Sequence, residues 1–240
     1  MKYLKKDSNI YRHEIKYRIS LRERELIRLR LGELLLRDPH AGASGIYKIR
    51  SLYFDDYWNS AYYEKIMGSS PRRKYRIRVY NDDDSVINLE RKIKSDNYIS
   101  KQSAKLTRQD TDDILIGKYN FLLNKEQKLC KEFYYECTTK LMRPSVIVDY
   151  DREPFIFYTG DVRITFDMNL RAGLLRVNLF DKDLPTLNAF EDDSLIMEVK
   201  YTEVLPDLIR KLLNVRSSEL IAVSKYVLCR DCISFMSAQI

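Results

Sequence analysis

The sequence predicts an α+β fold in which an antiparallel β-barrel (tunnel) of about eight strands, with a basic lumen, is flanked by helices. Three observations favour this fold. Strand-like alternation fills the middle of the chain, helical periodicity lies at its ends and between strands, and the polar faces of the strands carry mainly Lys and Arg. Only 7 Gly and 6 Pro occur, with no Ser/Gly-rich linker and no repeat, so a single domain over residues 1–240 is predicted.

The individual elements follow from the spacing of apolar residues. Alternation predicts strands at residues 11–19, 46–54, 74–80, 86–94, 145–152, 161–167 and 195–201. Amphipathic spacing predicts helices at residues 20–36, 107–117, 125–141, 206–213 and 218–235. Ser20, with Glu23 three residues later, has the pattern of a capping box at the first helix, and Pro206 suits a first helical turn.

The strand 74–80, KYRIRVY, shows the charged faces most clearly, because Lys74, Arg76 and Arg78 share its polar side. Solvated outer faces of a sheet would explain any one such strand. Similar faces on the other strands carry Glu14, Lys16, Arg18, Asn88, Glu90, Lys92, Lys94, Asp161, Arg163, Thr165, Asp167, Glu198 and Lys200. Basic side chains on neighbouring strands repel one another unless an anion lies between them. The whole set therefore favours a barrel with charges inside and helices covering its apolar outer faces.

The charge balance indicates an anionic partner. The net charge is +7 and the pI is about 9.1, which fits nucleic acid, phosphate-rich small molecules or a membrane surface. Nucleic acid is the weaker interpretation, since the basic residues lie on strand faces predicted to turn inward. Arg and Lys suit phosphate oxygens, and the carboxylates of Glu14, Glu90 and Glu198 suit a Mg²⁺ or Mn²⁺ ion that bridges protein and phosphate.

The sequence gives little support for a zinc site, a nucleophilic triad, a secretory signal or a membrane span. Cys229 and Cys232 have the spacing of half a zinc site, but Cys130 and Cys137 do not form a second such pair, so reduced cysteines on two helices are expected. No Ser/His/Asp or Cys/His arrangement is evident. The chain opens without an apolar signal segment and contains no apolar run long enough to span a bilayer. A soluble, cytoplasmic protein with no membrane segment is expected.

Nine short segments match a known family in order along the chain. They are RHEIKYRI at 12–19, SLYFDD at 51–56, YRIRVY at 75–80, LERKIK at 89–94, SKQSAK at 100–105, RPSVIVDYDREPF at 143–155, VRITFDMNLRA at 162–172, IMEVKY at 196–201 and SKY at 224–226. With these segments the chain resembles the polyphosphate polymerase domain of the vacuolar transporter chaperone (VTC) family, within the triphosphate tunnel metalloenzymes. Each segment is weak alone, and their joint order carries the resemblance.

The resemblance implies a basic tunnel that binds ATP or another nucleoside triphosphate and transfers its γ-phosphate onto polyphosphate, releasing ADP. It also implies Mn²⁺ (or Mg²⁺) as cofactor, and polyphosphate and inorganic phosphate as partners. Carried over by motif, the expected catalytic residues are Arg76, Arg78, Lys92, Arg163 and Lys200. The expected substrate-binding residues are Lys16, Lys101, Tyr150, Arg152 and Lys225. Glu198 is the expected metal ligand, with Glu90 as a supporting carboxylate.

The chain departs from the superfamily motif at one position, and alternative functions and residue roles stay open. The wider superfamily opens with Glu-x-Glu-x-Lys, and here Arg12 replaces the first Glu, which disfavours an adenylate cyclase or thiamine triphosphatase. The same tunnel could hydrolyse inorganic triphosphate or nucleotides, or bind polyphosphate without catalysis, although loss of Glu198 would be expected in that last case. Tyr150 could be a core aromatic residue, and Glu198 with Lys200 a structural ion pair. The segment 82–84, three Asp, is expected to be a solvated hairpin loop.

Overall fold

The computed structural model describes residues 12–32, 34–96, 98–174, 178–213, 219–220 and 223–237. Its strands are β1 (His13–Ile19), β2 (Leu36–Arg37), β3 (Tyr47–Asp55), β4 (Arg72–Tyr80), β5 (Asp83–Ser95), β6 (Tyr98–Leu106), β7 (Arg143–Phe157), β8 (Val162–Gly173), β9 (Thr186–Asn188), β10 (Leu195–Tyr201) and β11 (Glu219–Leu220). Its α-helices are α1 (Leu21–Gly32), α2 (Ser60–Ile66), α3 (Arg108–Leu115), α4 (Lys128–Thr139), α5 (Asp207–Leu212) and α6 (Lys225–Ser237). Two 3₁₀ turns occupy Pro39–Ala41 and Asn120–Asn124.

The strands form one antiparallel sheet in the order β11-β1-β10-β8-β7-β3-β4-β5-β6, with β2 added to β7 and β9 to β8. The eight longer strands curl into a half-barrel. A backbone bridge between Arg12, just before β1, and Ile99 in β6 joins the β1 side of the sheet to the last strand at its other end, with both N–O distances at 3.2 Å. The predicted α+β class and eight-stranded antiparallel barrel are thus confirmed.

Two apolar cores cover the outer face of the curled sheet, as alternation predicts. On one side, Ile77 and Leu89 pack with Ile114 of α3 and Phe133 of α4. On the other side, the apolar residues of β8 and β10 pack with α1 and the segment around α5, through Ile27, Leu31, Ile164, Phe166, Val199 and Ile209. Because the apolar faces point outward to helices, the charged faces turn inward.

Helix α6 packs on the inner face of the sheet. Its Tyr226 and Cys229 contact Val146, Val148 and Ile196 in a third, inner core. The first turn of α6 therefore lies at the charged part of the inner face. Among the described residues, no helix is long and apolar enough to cross a lipid bilayer.

Several elements differ from those predicted. β6 shows little apolar alternation, since only Ala104 and Leu106 of its side chains join the outer core, and the sequence pattern misses it. Helix α2 buries only Ala61 fully, which leaves it without an amphipathic pattern. The first helix ends at Gly32 rather than at residue 36. The predicted start of the last helix, Ser218, lies outside the described residues, and α6 begins at Lys225.

The segment 82–84 is only partly solvated and only partly a loop, because Asp82 lies in the β4–β5 turn whereas Asp83 and Asp84 belong to β5. Asp82 has a left-handed backbone with a φ of 54° and its carboxylate lies 2.7 Å from the Lys48 ammonium. Asp83 and Asp84 are exposed. The prediction was wrong for Asp82, because Lys48 of the neighbouring strand reaches the turn from a position far away in sequence.

Candidate functional site

The inner face of the sheet holds a cavity of about 590 Å³, open to solvent. Eleven of its lining residues are Lys or Arg and only two are Glu, so its walls carry a large excess of positive charge. The basic lining residues are Lys16, Lys65, Arg72, Lys74, Arg76, Arg78, Lys92, Lys94, Arg152, Lys200 and Lys225. Such a cavity favours an anion with several charges.

Cross-strand partners hold the guanidinium groups of Arg76 and Arg78 in place. Arg76 lies opposite Tyr53 of β3 and Glu90 of β5. It donates to the Tyr53 hydroxyl and to Glu90 Oε2, both at 2.8 Å. Arg78 donates to Ser51 Oγ at 3.0 Å and to the Tyr150 hydroxyl at 3.3 Å. These contacts fix the two side chains before any ligand arrives, which lowers the entropy cost of binding.

Glu14 and Glu198 form the acidic part of the cavity. β1 and β10 pair so that Glu14 lies opposite Lys200, and Lys16 opposite Glu198. The Lys16 ammonium lies 3.3 Å from Glu14 Oε1 and 3.2 Å from Glu198 Oε1, and Lys200 lies 2.8 Å from Glu198 Oε2. From β5, Lys92 donates to both oxygens of Glu14 at 2.9 Å. Two carboxylates therefore share a set of lysines at the seam between β1 and the rest of the barrel.

A second layer of charge lies behind this cluster. Arg152 of β7 donates to both oxygens of Asp167 on β8, at 2.6 and 2.7 Å. Lys225, the first residue of α6, contacts Asp167 at 2.5 Å and Glu198 at 2.7 Å. Asp167 is fully buried, and the two cations satisfy it. The start of α6 is thereby bound to the acidic part of the cavity.

The ionisation of the carboxylates follows from these contacts. Burial alone would raise the pKa of Glu198, but Lys16, Lys200 and Lys225 more than offset it and hold that pKa well below its usual value. Burial likewise opposes ionisation of Glu14, yet Lys92 and Lys16 keep the pKa of Glu14 low. Both carboxylates are therefore charged at neutral pH.

For two of the lysines the effect of burial on the pKa is not fully offset. Burial, followed by the charges of Lys16, Lys65 and other cations, lowers the pKa of Lys74 well below its usual value. Burial also lowers the pKa of Lys92, to about 8, although Glu14 acts against this shift. A polyanion in the cavity would stabilise the charged forms of these lysines.

A family model provides the decisive comparison. The model of the VTC domain matches residues 11–233, nearly the whole chain. The chain belongs to the VTC domain family. No protein with a curated description matches its sequence.

Solved structures are similar to this VTC domain in fold. HpAC1 of Hippeastrum, described as a proposed adenylyl cyclase with a dominant triphosphatase activity, is 13% identical with a TM-score of 0.56. That alignment covers 92% of this chain and 95% of the Hippeastrum chain. A proposed adenylate cyclase of Bacillus halodurans is 11% identical with a TM-score of 0.47, over 81% and 83% of the two chains. At such low identity the likeness to HpAC1 shows a shared fold, and it does not show the activity of this VTC domain.

The VTC domain brings most of the predicted site residues to one cavity. The predicted residues that line it are Lys16, Arg76, Arg78, Lys92, Tyr150, Arg152, Glu198, Lys200 and Lys225. Tyr150 is buried, but its hydroxyl accepts from Arg78, so it serves both the core and the cavity. Glu198 and Lys200 do form an ion pair, within the cavity wall.

Three predicted residues lie outside the lining. Lys101 contacts Glu90 at 2.9 Å, and Glu90 lies behind Arg76. Arg163 lies directly opposite Lys200 on the inner face of the sheet, but its guanidinium contacts Asp38 at 2.6 Å. The roles of Lys101, Glu90 and Arg163 stay predictions.

Sequence reasoning also missed contributors to the cavity. Glu14 was recognised as inward-facing, yet only the β1–β10 register shows that it adjoins Glu198. Lys65 comes from α2, an element without a sequence signal. Ser224 also lines the cavity. It could have been predicted from the matching SKY segment, from which Lys225 was predicted.

Proposed function

We propose that this VTC domain catalyses metal-dependent phosphoryl transfer, in which the γ-phosphate of ATP is added to a polyphosphate chain and ADP is released. One observation carries the proposal: eleven basic side chains and two ionised glutamates face a single cavity. A triphosphate or polyphosphate supplies the negative charge that these walls lack. The family membership supports the same conclusion.

The acidic part of the cavity fits a divalent cation. Mg²⁺ and Mn²⁺ are commonly held by one or two protein carboxylates while phosphate oxygens and water complete the shell. Glu198 and Glu14 are ionised, line the cavity and share two lysine neighbours. Among the described residues, no group of three or more His, Cys, Asp or Glu could hold a metal by itself. Glu198, assisted by Glu14, would therefore hold the ion only together with substrate phosphates, and the ion would neutralise developing charge.

The basic residues bind and orient the phosphates. Arg76 and Arg78 are held by Tyr53, Ser51 and Tyr150, so their free N–H groups can donate to phosphate oxygens. The ammonium groups of Lys16, Lys92, Lys200 and Lys225 add positive charge around Glu14 and Glu198. Phosphoryl transfer has a loose transition state, so positioning and charge neutralisation supply most of the catalysis.

The predicted residues outside the lining have supporting roles in this proposal. Glu90 binds Arg76 and Lys101 and thereby orients both side chains. Arg163 is proposed to bind phosphate after leaving Asp38, which would require a change of rotamer. A terminal phosphate of polyphosphate is already ionised at neutral pH, so the nucleophile needs no general base.

The second candidate function is hydrolysis of a triphosphate. It is favoured by the likeness to HpAC1, which is described as having a dominant triphosphatase activity. In this case water would replace the terminal phosphate of the chain as the nucleophile. A non-catalytic polyphosphate-binding module is the third possibility, and the presence of Glu198 argues against it.

Incubation of the purified protein with ATP and Mn²⁺ separates these functions. We expect acid-insoluble phosphate polymer together with ADP. Release of free phosphate without polymer would support the hydrolase instead. Binding of polyphosphate with neither product would support the binding module.

The variant Glu198→Gln tests the proposed metal ligand in the same assay. It should lower turnover by about a hundredfold or more, while nucleotide binding without metal changes far less. Glu191→Gln is the matched control, because Glu191 is exposed and does not line the cavity. Unchanged turnover of Glu198→Gln would remove Glu198 from the metal site.

A further inference from the structure

One end of the β4–β5 pair places like charges directly opposite each other. Arg72 lies opposite Lys94, and Lys74 opposite Lys92. The next pair along the strands, Arg76 and Glu90, has opposite charges. Like charges in directly opposed positions destabilise a sheet. Two such pairs in succession therefore cost folding free energy unless something compensates them.

Part of this charge has no carboxylate partner. Lys92 is compensated by Glu14. Within the described ranges, by contrast, no ion pair to a carboxylate is formed by Lys65, Arg72, Lys74 or Lys94. The contacts of Lys74 are the hydroxyl of Ser224 at 2.8 Å and the ring of Tyr226, whose centroid lies 4.9 Å from the ammonium. These four side chains all line the cavity.

The four cations come from different elements and still act on one another. Lys65 extends from α2, Arg72 and Lys74 from β4, and Lys94 from β5. After the larger effect of burial, Arg72 lowers the pKa of both Lys65 and Lys94, although Glu14 opposes the shift at Lys94. These four side chains, which form no ion pair with a carboxylate among the described residues, thus form a cluster beside the lysines that surround Glu14 and Glu198.

We infer that Lys65, Arg72, Lys74 and Lys94 form a second anion subsite, which holds the part of a polyphosphate chain that extends beyond the phosphates bound beside Glu198. This inference rests on the proposed function and specifies which residues hold the acceptor chain. One phosphate group carries at most roughly two negative charges, so four cations call for several linked phosphates. The row also continues along β4, where alternate residues lie about 7 Å apart, from Arg72 through Lys74 to Arg76.

The test compares ligands of two lengths without any catalytic step. Binding of inorganic triphosphate and of a much longer polyphosphate is measured by calorimetry for the unchanged protein and for the double variant Lys65→Ala/Lys94→Ala. The unchanged protein should bind the long chain more tightly than triphosphate. The double variant should lose roughly tenfold or more in affinity for the long chain and less than about twofold for triphosphate. The salt dependence of long-chain binding should also become shallower.

A matched control removes two charges elsewhere. Lys118→Ala/Lys131→Ala has the same change in net charge, and both lysines are exposed and away from the cavity. This variant should bind both ligands as the unchanged protein does. Equal losses for triphosphate and long chain in Lys65→Ala/Lys94→Ala would overturn the inference, as would equal affinities of the unchanged protein for the two ligands.

The melting temperature shows whether the double variant is still folded. Removal of Lys65 and Lys94 relieves repulsion, so the melting temperature without ligand should stay the same or rise, whereas the control pair should leave it unchanged. A lower melting temperature of the double variant would contradict the inference that Lys65 and Lys94 carry uncompensated charge. The binding test and the polymer assay with ATP and Mn²⁺ can fail independently. A protein that binds long chains through this subsite but makes no polymer would contradict the proposed function and leave the subsite supported.

Discussion

Lys16 and Lys74 are chemically identical, and their surroundings give them opposite ionisation behaviour. Both are partly buried, which disfavours the charged form. For Lys16, Glu198 and Glu14 outweigh burial and raise the pKa above its usual value. For Lys74, neighbouring cations act in the same direction as burial and lower the pKa well below it. Lys16 therefore holds its proton more firmly than an ordinary lysine, whereas Lys74 releases its proton more readily and an external anion would stabilise its charged form.

At the scale of single residues we predict that polyphosphate binding depends on pH. An anion bound near Lys74 favours its protonated form, so binding takes up a proton, and affinity for polyphosphate should fall as pH rises through the lowered pKa of Lys74. Calorimetry in two buffers of different ionisation enthalpy measures the proton uptake. In Lys74→Arg the guanidinium stays charged, so proton uptake should decrease. The same uptake in the variant and the unchanged protein would assign it to another group.

Helix α6 is the element that links the cavity to the inner core. Its first residue, Lys225, contacts Glu198, while Tyr226 packs against the inner core and donates to the buried Asp55 of β3. Arg230, one turn later, also contacts Asp55, at 3.4 Å. The Asp55 carboxylate accepts in addition from the backbone of α2, at Ala61 and Tyr62. Asp55 thus fixes both helices that contribute cations to the cavity.

At the scale of elements we predict that Tyr226→Phe acts on the cavity through helix position. The variant loses the hydrogen bond to Asp55, which should lower the free energy of unfolding by about 1–2 kcal/mol. Phosphate binding should weaken severalfold as well, since the first turn of α6 carries Lys225. Thermal denaturation and triphosphate titration check both effects. Tyr135→Phe, at an exposed site on α4, is the control and should change neither.

The whole molecule depends on carboxylates that are ionised inside a basic barrel. Contacts with neighbouring cations, acting against burial, lower the pKa values of Glu14, Glu90, Glu198 and Asp167 from their usual values of 4.5 for Glu and 3.8 for Asp. Each therefore contributes stability that is fully present above the unfolded-state pKa and is lost as pH falls through the folded-state pKa.

For the whole molecule we predict a steep loss of stability in acid. The free energy of unfolding should be constant near neutral pH and decline below about pH 4.5, by on the order of 2 kcal/mol for each of these groups. Urea denaturation at a series of pH values measures this. Glu14→Gln, less stable at neutral pH, should show a shallower acid decline because one titrating group is gone. Equal unfolding free energies at pH 7 and pH 3.5 would contradict the prediction.

Much of the site could be predicted because successive side chains of a β-strand point to opposite faces of the sheet. Alternation places Arg76 and Arg78 on the face opposite Ile77, and the charged faces of all the strands together favoured the inward side for the two Arg. The predicted capping box of Ser20 with Glu23 is also present, with Glu23 Oε2 accepting from the Ser20 backbone N–H at 2.8 Å. Elements without periodicity could not be predicted. Helix α2, which supplies Lys65, buries too little apolar surface to leave a pattern.

The sequence by itself determined which face of each strand is charged, that the charges are mainly basic, and which family the chain resembles. The tertiary structure alone decided which charges meet. Glu14 pairs with Lys92 across 78 residues of chain, Lys74 remains without a carboxylate, and Arg163 contacts Asp38 instead of the cavity. The physical reason is that alternation is a property of one strand, whereas charge compensation depends on the register and curvature that bring distant strands together.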